Sequence, residues 1–245
     1  MANHHPLKSN TLFREYDHRK AASENCSEMA SQIKVVSLDL DGVLYDGPSA
    51  VHPLTKTLGI EQDFLRVFNK LGSGTRSLAD AIKEGAKIWI GVPVDGTLDP
   101  LVENLPLMKG AEETVAALRD WGLQVGCVSS GVSQFFMEPF RRRLKLDFAF
   151  SNVLGETNGE HDGSVHYVMG GPQKAEKVLE YIENQGYSRL ELASVGDGEN
   201  DIVLFKVSAF SIAYNPVSDK VSEAADLTIR SKDLRAILPH FMPRY

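Results

Sequence analysis

The chain has few cysteines, few tryptophans and no long apolar runs. Cys26 and Cys127 are its only thiols, the first in a polar tail and the second in an apolar run. No disulfide framework is available, and a reducing compartment suits such a sequence. No stretch reaches the roughly eighteen consecutive apolar residues that a membrane-spanning helix needs. The N-terminus has no apolar h-region, so it does not read as a secretory signal. Basic residues are also outnumbered, with 26 Lys and Arg against 33 Asp and Glu and a net charge of -7. That balance disfavours a nucleic-acid backbone as partner. The one basic run, Arg141, Arg142, Arg143 and Lys145, reads as a solvated helix end. The expectation is a cytoplasmic protein with neither membrane nor nucleic acid as partner. Monomer and homodimer both stay open.

With 245 residues, 42% of them hydrophobic, the chain can build one sizeable core carrying a smaller unit. Residues 1–32 form a polar leader with little periodicity. "IKVVSLDL" (33–40) is β-branched and almost continuously apolar, as suits a strand of a parallel sheet covered on both faces. Residues 47–106 differ. Segments 52–60, 61–71 and 75–90 repeat apolar side chains at helical spacing, as in Leu78, Ala81 and Ile82, and strand candidates are nearly absent. The stretch is too long for a strand-to-helix loop and predicts an inserted helical cap.

From Pro106 onward strands and helices alternate. Helix 110–122 is followed by strand 123–131, a helix over 133–146 that Pro139 should bend or break, and strand 148–154. A glycine-punctuated hairpin or flap follows at 155–168, then helix 172–186, strands near 192 and 210, and a final strand and short helix over 226–241. This order predicts an α/β fold: a doubly wound, mostly parallel Rossmann-like sheet with an inserted helical cap. The core comprises 33–46 and 107–245, and the cap 47–106.

In such sheets ligands sit beyond the C-terminal strand ends. The unusual polar residues fall there. Asp39 and Asp41 follow the first strand, Ser129 and Ser130 the second, and Asp197, Asn200 and Asp201 a later one, while Lys174 opens a helix. Carboxylates crowded together repel unless a cation joins them. Magnesium, a hard ion preferring carboxylates, carbonyl oxygen and water, suits Asp39, Asp41 and Asp197, with Asp201 as a further ligand or holding a bound water. An ionised Asp39 beside a cation can attack an electrophile. Asp41 is then placed to act as acid toward a leaving oxygen and later as base toward water. Lys174 and the Ser129 hydroxyl would receive phosphoryl oxygens. Ser130 is a candidate donor to phosphate. Gly131, Gly196 and Gly198 would permit tight turns beside the ligand. Asp46, His52, His161 and His166 read as turn, surface or flap residues.

The motifs "DLDGVLYDG", "VSSG", "PQKAEKVL" and "GDGEND" stand in this order over roughly residues 33–241. In this the chain resembles the haloacid dehalogenase-like phosphohydrolases and is most similar to phosphoserine phosphatases among them. The resemblance implies that Asp39 is the nucleophile forming an aspartyl-phosphate and Asp41 the general acid/base. It implies phosphate binding by Ser129 and Lys174, and magnesium binding by Asp39, the backbone carbonyl of Asp41, and Asp197, with Asp201 in support. It also implies that Asn200 hydrogen-bonds in the phosphate or metal shell and that the insertion closes over a small phosphorylated metabolite.

Phosphoserine phosphatases carry a Glu shortly after the first motif and an Arg in the cap for the two charged groups of serine. This chain has Pro48 and Ser49 in the first region, and Arg76, Lys83 and Glu84 in the second. A free ammonium would be poorly matched without that Glu. Phe64, Phe68 and Trp89 in the cap are candidates to line a more apolar substrate pocket. A hydrolase, a phosphotransferase or mutase using the same aspartyl-phosphate, and a non-catalytic phospho-ligand binding protein are the competing functions.

Overall fold

Strands with no polar face need cover on both sides, and this chain supplies it. The computed structural model describes residues 32–72 and 77–242, with side chains described for 32–69 and 77–242. Residues 1–31 of the leader, Cys26 among them, and Arg76 therefore lie outside the described residues. Strand β1 (Val35–Leu38) is buried along its whole length. Helices α1 (His52–Thr57), α2 (Glu61–Gly72), α3 (Leu78–Ala86) and α4 (Asp99–Glu103) follow it before the next strand begins. The inserted region expected between the first two strands is thus helical. Pro53 sits in the first turn of α1, and the Ser77 hydroxyl caps α3 by accepting from Asp80 N at 3.1 Å.

The alternation then resumes with α5 (Ala111–Asp120), β2 (Gln124–Ser133), α6 (Gln134–Leu144), β3 (Phe148–Thr157) and β4 (Glu160–Tyr167). It finishes with α7 (Gly171–Asn184), β5 (Leu192–Gly196), α8 (Ile202–Val207), β6 (Phe210–Tyr214), α9 (Asp219–Ala224) and β7 (Leu227–Ile229). The closing helical segment, Leu234–His240, is 3-10. Among the described residues the sheet order is β4-β3-β2-β1-β5-β6-β7, with every neighbouring pair parallel except β3–β4. The doubly wound α/β expectation holds, and the one antiparallel pair is the expected hairpin. Its turn residues Asn158 and Gly159 have φ of 56° and 81°. Left-handed backbone at both central positions matches the twist of the flanking strands.

Pro139 does not break its helix in two. Helix α6 runs unbroken through it, and Phe136, Met137, Phe140 and Leu144 are buried along one side. A proline in a helix interior costs about 3 kcal/mol, and burial of four large side chains exceeds that at about 1.5–3 kcal/mol each. The basic run at the end of α6 faces acidic partners. Arg141 pairs with Glu138 at 2.9 Å, Arg142 with Asp99 at 2.5 Å, and Arg143 with Glu112 at 3.0 Å.

Strand register sets up the site. Leu38 of β1 stands beside Cys127 of β2 on one side and Val195 of β5 on the other. Asp39 N then donates to Val195 O at 2.9 Å, one step past the strand end. Residues 39, 129 and 197 therefore lie within two positions of the same row, 39 and 197 just past their strand ends and 129 still inside β2.

Candidate active site

The floor is built from the loops that leave this row. After β1 the chain turns sharply: the carbonyl of Leu40 accepts from the backbone of Leu44 at 2.9 Å and Tyr45 at 2.8 Å, and Gly42 takes φ of 75°. Only glycine fits at position 42, because a Cβ there would strike the Asp197 carboxylate as well as the left-handed backbone. Gly196 and Gly198 serve the same purpose on the opposite loop, where a Cβ would meet Asp201 and Asn200 respectively.

Asp39 is 6% exposed. Its Oδ1 accepts from Leu40 N at 2.7 Å and from Lys174 Nζ at 2.9 Å. Lys174, fully buried at 0% exposure, also donates to Asp201 Oδ1 at 2.7 Å. Asp201 in turn accepts from Gly198 N at 3.1 Å through its other oxygen. Lys174 thus clamps two carboxylates from distant segments beneath the cavity floor. Asp39, Asp197 and Asp201 each present an oxygen within 4.8 Å of the others. Asp41 points elsewhere: its Oδ1 accepts from Ala50 N at 2.6 Å, and its Oδ2 lies against Gly131. The two aspartates of the first motif therefore do not share one task.

The electrostatics follow from burial. Burial pushes the Asp39 carboxyl well above its ordinary value, and Asp201 pushes it further, against the pull of Lys174. Burial raises Asp197 to about 7, with Asp201 adding to it. Asp41 is raised by burial to about 6, moderated by the Ala50 N–H. Burial alone would lower Lys174, but Asp201 and Asp39 outweigh it and hold the ammonium above its usual range. Four carboxylates face one ammonium, and the donor set is all hard oxygen. That is the environment of a divalent cation, which Asp39, Asp197 and Asp201 together can chelate.

Ser129 Oγ accepts from Gly131 N at 3.1 Å, and Ser130 Oγ accepts from Asn200 Nδ2 at 3.1 Å. The latter bond ties the C-terminal part of β2 to the loop after β5. Asn152 braces the same turn, donating to the carbonyls of Ser130 at 2.9 Å and Val132 at 2.8 Å and accepting from Met169 N at 2.8 Å. Nothing in the sequence marked Asn152, which lies inside an ordinary strand.

Over this floor opens a cavity of about 760 Å³. Asp39, Asp41, Ser129, Ser130, Gly131, Asp197 and Asn200 all line it, as do the inserted Phe64, Phe68 and Trp89. Phe64 stacks on Phe68 at 5.5 Å and on His52 at 5.6 Å. Pro48, Ser49 and Asp46 also line the cavity. His161, expected to be a flap residue, comes into the wall as well. Lys174 lies below this lining, in contact with Asp39 and Asp201. His166, on the same strand as His161, contacts the Ser164 hydroxyl at 3.1 Å at the surface.

A family model described as haloacid dehalogenase-like hydrolase matches residues 33–207. The chain is 26% identical over 215 residues to the phosphoserine phosphatase of Methanocaldococcus jannaschii, covering 86% of this chain and 99% of that protein. It is 27% identical over 202 residues to the phosphoserine phosphatase of Archaeoglobus fulgidus, covering 82% of this chain but spanning only 58% of that protein's length. Among solved structures, a substrate-bound phosphoserine phosphatase shares the fold with a TM-score of 0.73 at 24% identity, over 86% of this chain and 99% of the other.

Proposed function

The chain belongs to the haloacid dehalogenase-like hydrolase family, and from that premise we propose that it is a magnesium-dependent phosphomonoester hydrolase working through an aspartyl-phosphate on Asp39. One observation carries the reading. Two aspartates at the end of β1 have been given different surroundings, Asp39 against Lys174 and Asp41 against Ala50 N with its carboxyl raised to about 6. Lys174 pulls Asp39 toward its ionised, nucleophilic form against the burial that raises it, and a bound cation would complete that pull, while a neighbour that titrates near neutrality is a proton carrier.

In the first step an Asp39 oxygen attacks phosphorus. The bond from Asp39 to phosphorus forms as the bond to the alcohol oxygen breaks, and Asp41 gives that oxygen its proton. In the second step water attacks the phosphorus of the aspartyl-phosphate. Asp41 takes the water proton, the Asp39–phosphorus bond breaks, and inorganic phosphate leaves with both aspartates restored. Ser129, Ser130 and Asn200 at the strand ends hold the phosphoryl oxygens, with the charge of Lys174 behind them. Asp39 and Asp197, with Asp201 in support, would hold magnesium, which would supply the charge neutralisation that lets an anionic carboxylate approach an anionic phosphate. Residues 47–106 serve as a cap that covers the ester and excludes water. The relatives' name makes phosphoserine one ester to try.

The test is release of inorganic phosphate from p-nitrophenyl phosphate by the purified protein. Release should require magnesium and be lost in Asp39→Asn. Equal release in chelator, or undiminished release by the variant, would refute the reading. Faster appearance of a phosphorylated product than of phosphate, on adding an acceptor alcohol, would assign the protein to the phosphotransferases instead.

A further inference from the structure

We propose that Asn152 is a positioning residue for phosphoryl binding, whose carboxamide fixes the 129–131 segment of β2 against the start of α7; this rests on the hydrolase reading above. Strands β2 and β3 keep step up to Val128 and Phe150, and regain it at Ser133 and Asn152. Between those pairs, residues 129–132 of β2 face the single residue Ser151 of β3, so β2 must bulge. The bulge carries Ser129, Ser130 and Gly131, all of which line the cavity. A bulge gives up ladder hydrogen bonds. Ser130 and Val132 are buried, so water cannot readily take the place of the lost partners.

Asn152, itself 2% exposed, supplies the missing donors. Its Nδ2 donates to Ser130 O at 2.9 Å and to Val132 O at 2.8 Å, while its Oδ1 accepts from Met169 N at 2.8 Å. Carbonyls only accept and a backbone N–H only donates, so these partners fix which way the amide faces. Both amide protons are committed to backbone. Asn152 lines the cavity but has no donor left for a ligand, and it acts through the groups it holds. Met169 leads into α7, where Lys174 N donates to Gly170 O at 2.9 Å. Asn200 closes the link from the other side. It donates to Ser130 Oγ at 3.1 Å, and a Cβ on Gly171 would lie only 2.9 Å from its carbonyl oxygen. Ser129, Ser130, Asn200 and Lys174 thus share one brace, with Asn152 at its centre. Asp39 and Asp197 instead follow the ends of β1 and β5, which Asn152 does not bond. Removing the amide should loosen phosphate and spare magnesium.

Gln134 provides the comparison, because it bridges the same part of the sheet outside the bulge. Its Nε2 donates to Leu154 O at 2.7 Å, and Leu154 N donates to its Oε1 at 2.9 Å. Isothermal titration of the purified full chain with magnesium, and then with inorganic phosphate at saturating magnesium, tests the proposal without turnover. Asn152→Leu keeps the side-chain volume and loses all three bonds. It should weaken phosphate binding by about tenfold or more, the scale expected when a supporting group is lost, and leave half-saturating magnesium nearly unchanged. Gln134→Leu loses a comparable bridge and should leave both affinities nearly unchanged. Asn152→Ser, which leaves room for a water, guards against a leucine variant that does not fold, and should show the same separation of phosphate from magnesium. Phosphate binding that survives the Asn152 variants, a loss shared equally by magnesium, or an equal loss in Gln134→Leu would overturn the inference while phosphate release by the unaltered protein kept the hydrolase reading intact. Unaltered protein that neither binds phosphate nor releases it from p-nitrophenyl phosphate would sink the hydrolase reading and this inference with it.

Discussion

Replacing Lys174 by Met tests whether the ammonium is what allows two carboxylates to be buried together. Met keeps most of the hydrocarbon stem and removes the charge, so packing changes little. Two charge-assisted bonds disappear, at 2.9 Å to Asp39 and 2.7 Å to Asp201. Both carboxylates stay buried, Asp39 at 6% exposure and Asp201 at 2%. Removing one partner of a buried ion pair costs about 3–5 kcal/mol. That is a large part of the 5–15 kcal/mol that holds a typical domain together. The effect has a sign in pH. Asp39 is already raised by burial, with Lys174 pulling it down, so losing the ammonium raises it further. A carboxyl with a raised folded value contributes stability below its unfolded value and loses it as pH rises through the folded one. The variant should therefore be most deficient near pH 7.5 and recover toward pH 4.5, where the orphaned Asp39 carboxyl protonates. Urea unfolding in chelator at the two pH values measures this. A loss below about 1 kcal/mol at pH 7.5, or one equal at both values, would refute the claim that Lys174 serves mainly to hold these carboxylates.

Three further outcomes follow from the same geometry. Asp41→Asn should slow hydrolysis of an alkyl phosphate by about 10²–10⁴-fold, yet slow the first step on p-nitrophenyl phosphate far less, since that leaving group needs no proton; equal losses in single-turnover measurements would argue against a proton role. Gly42→Ala should cost about 1–2 kcal/mol through its left-handed backbone and, by displacing Asp197, raise the half-maximal magnesium concentration at least tenfold; an unchanged magnesium titration would contradict the placement of Asp197. Metal-free protein should lose stability between about pH 4 and 7, because Asp197 is raised from 3.8 to about 7 and Asp41 from 3.8 to about 6. Magnesium, which would replace the Asp197 proton, should bind more tightly across the same interval and narrow the gap; urea unfolding with and without the ion measures this, and a flat profile would contradict it.

The sequence read most clearly where chemistry lies at the ends of buried strands. Asp39, Ser129 and Asp197 could be placed together because uninterrupted apolar runs precede them and parallel sheets align such ends. The helical insertion was legible from the spacing of Leu78, Ala81 and Ile82. At Pro139 local propensity favours a bend or break, and α6 nonetheless continues through it with four buried side chains on one side. Sequence spacing places Asp39 and Asp41 together beside one cation. β1 stops at Leu38, and the following turn sends the two carboxylates to different partners. His161 and Asn152 gave no signal at all. The first depends on the register of a hairpin that pairs with Val92, and the second on an asparagine inside β3 reaching back across the sheet to Ser130. Both are long-range arrangements, and no local pattern encodes them.

The covalent step on Asp39 is tested most directly by the stereochemistry at phosphorus. An ester made chiral there with oxygen isotopes, hydrolysed in magnesium, should give phosphate with retained configuration, because Asp39 and then water each invert it once. Inverted phosphate would mean that water attacks the ester in a single step and that Asp39 never carries the phosphoryl group.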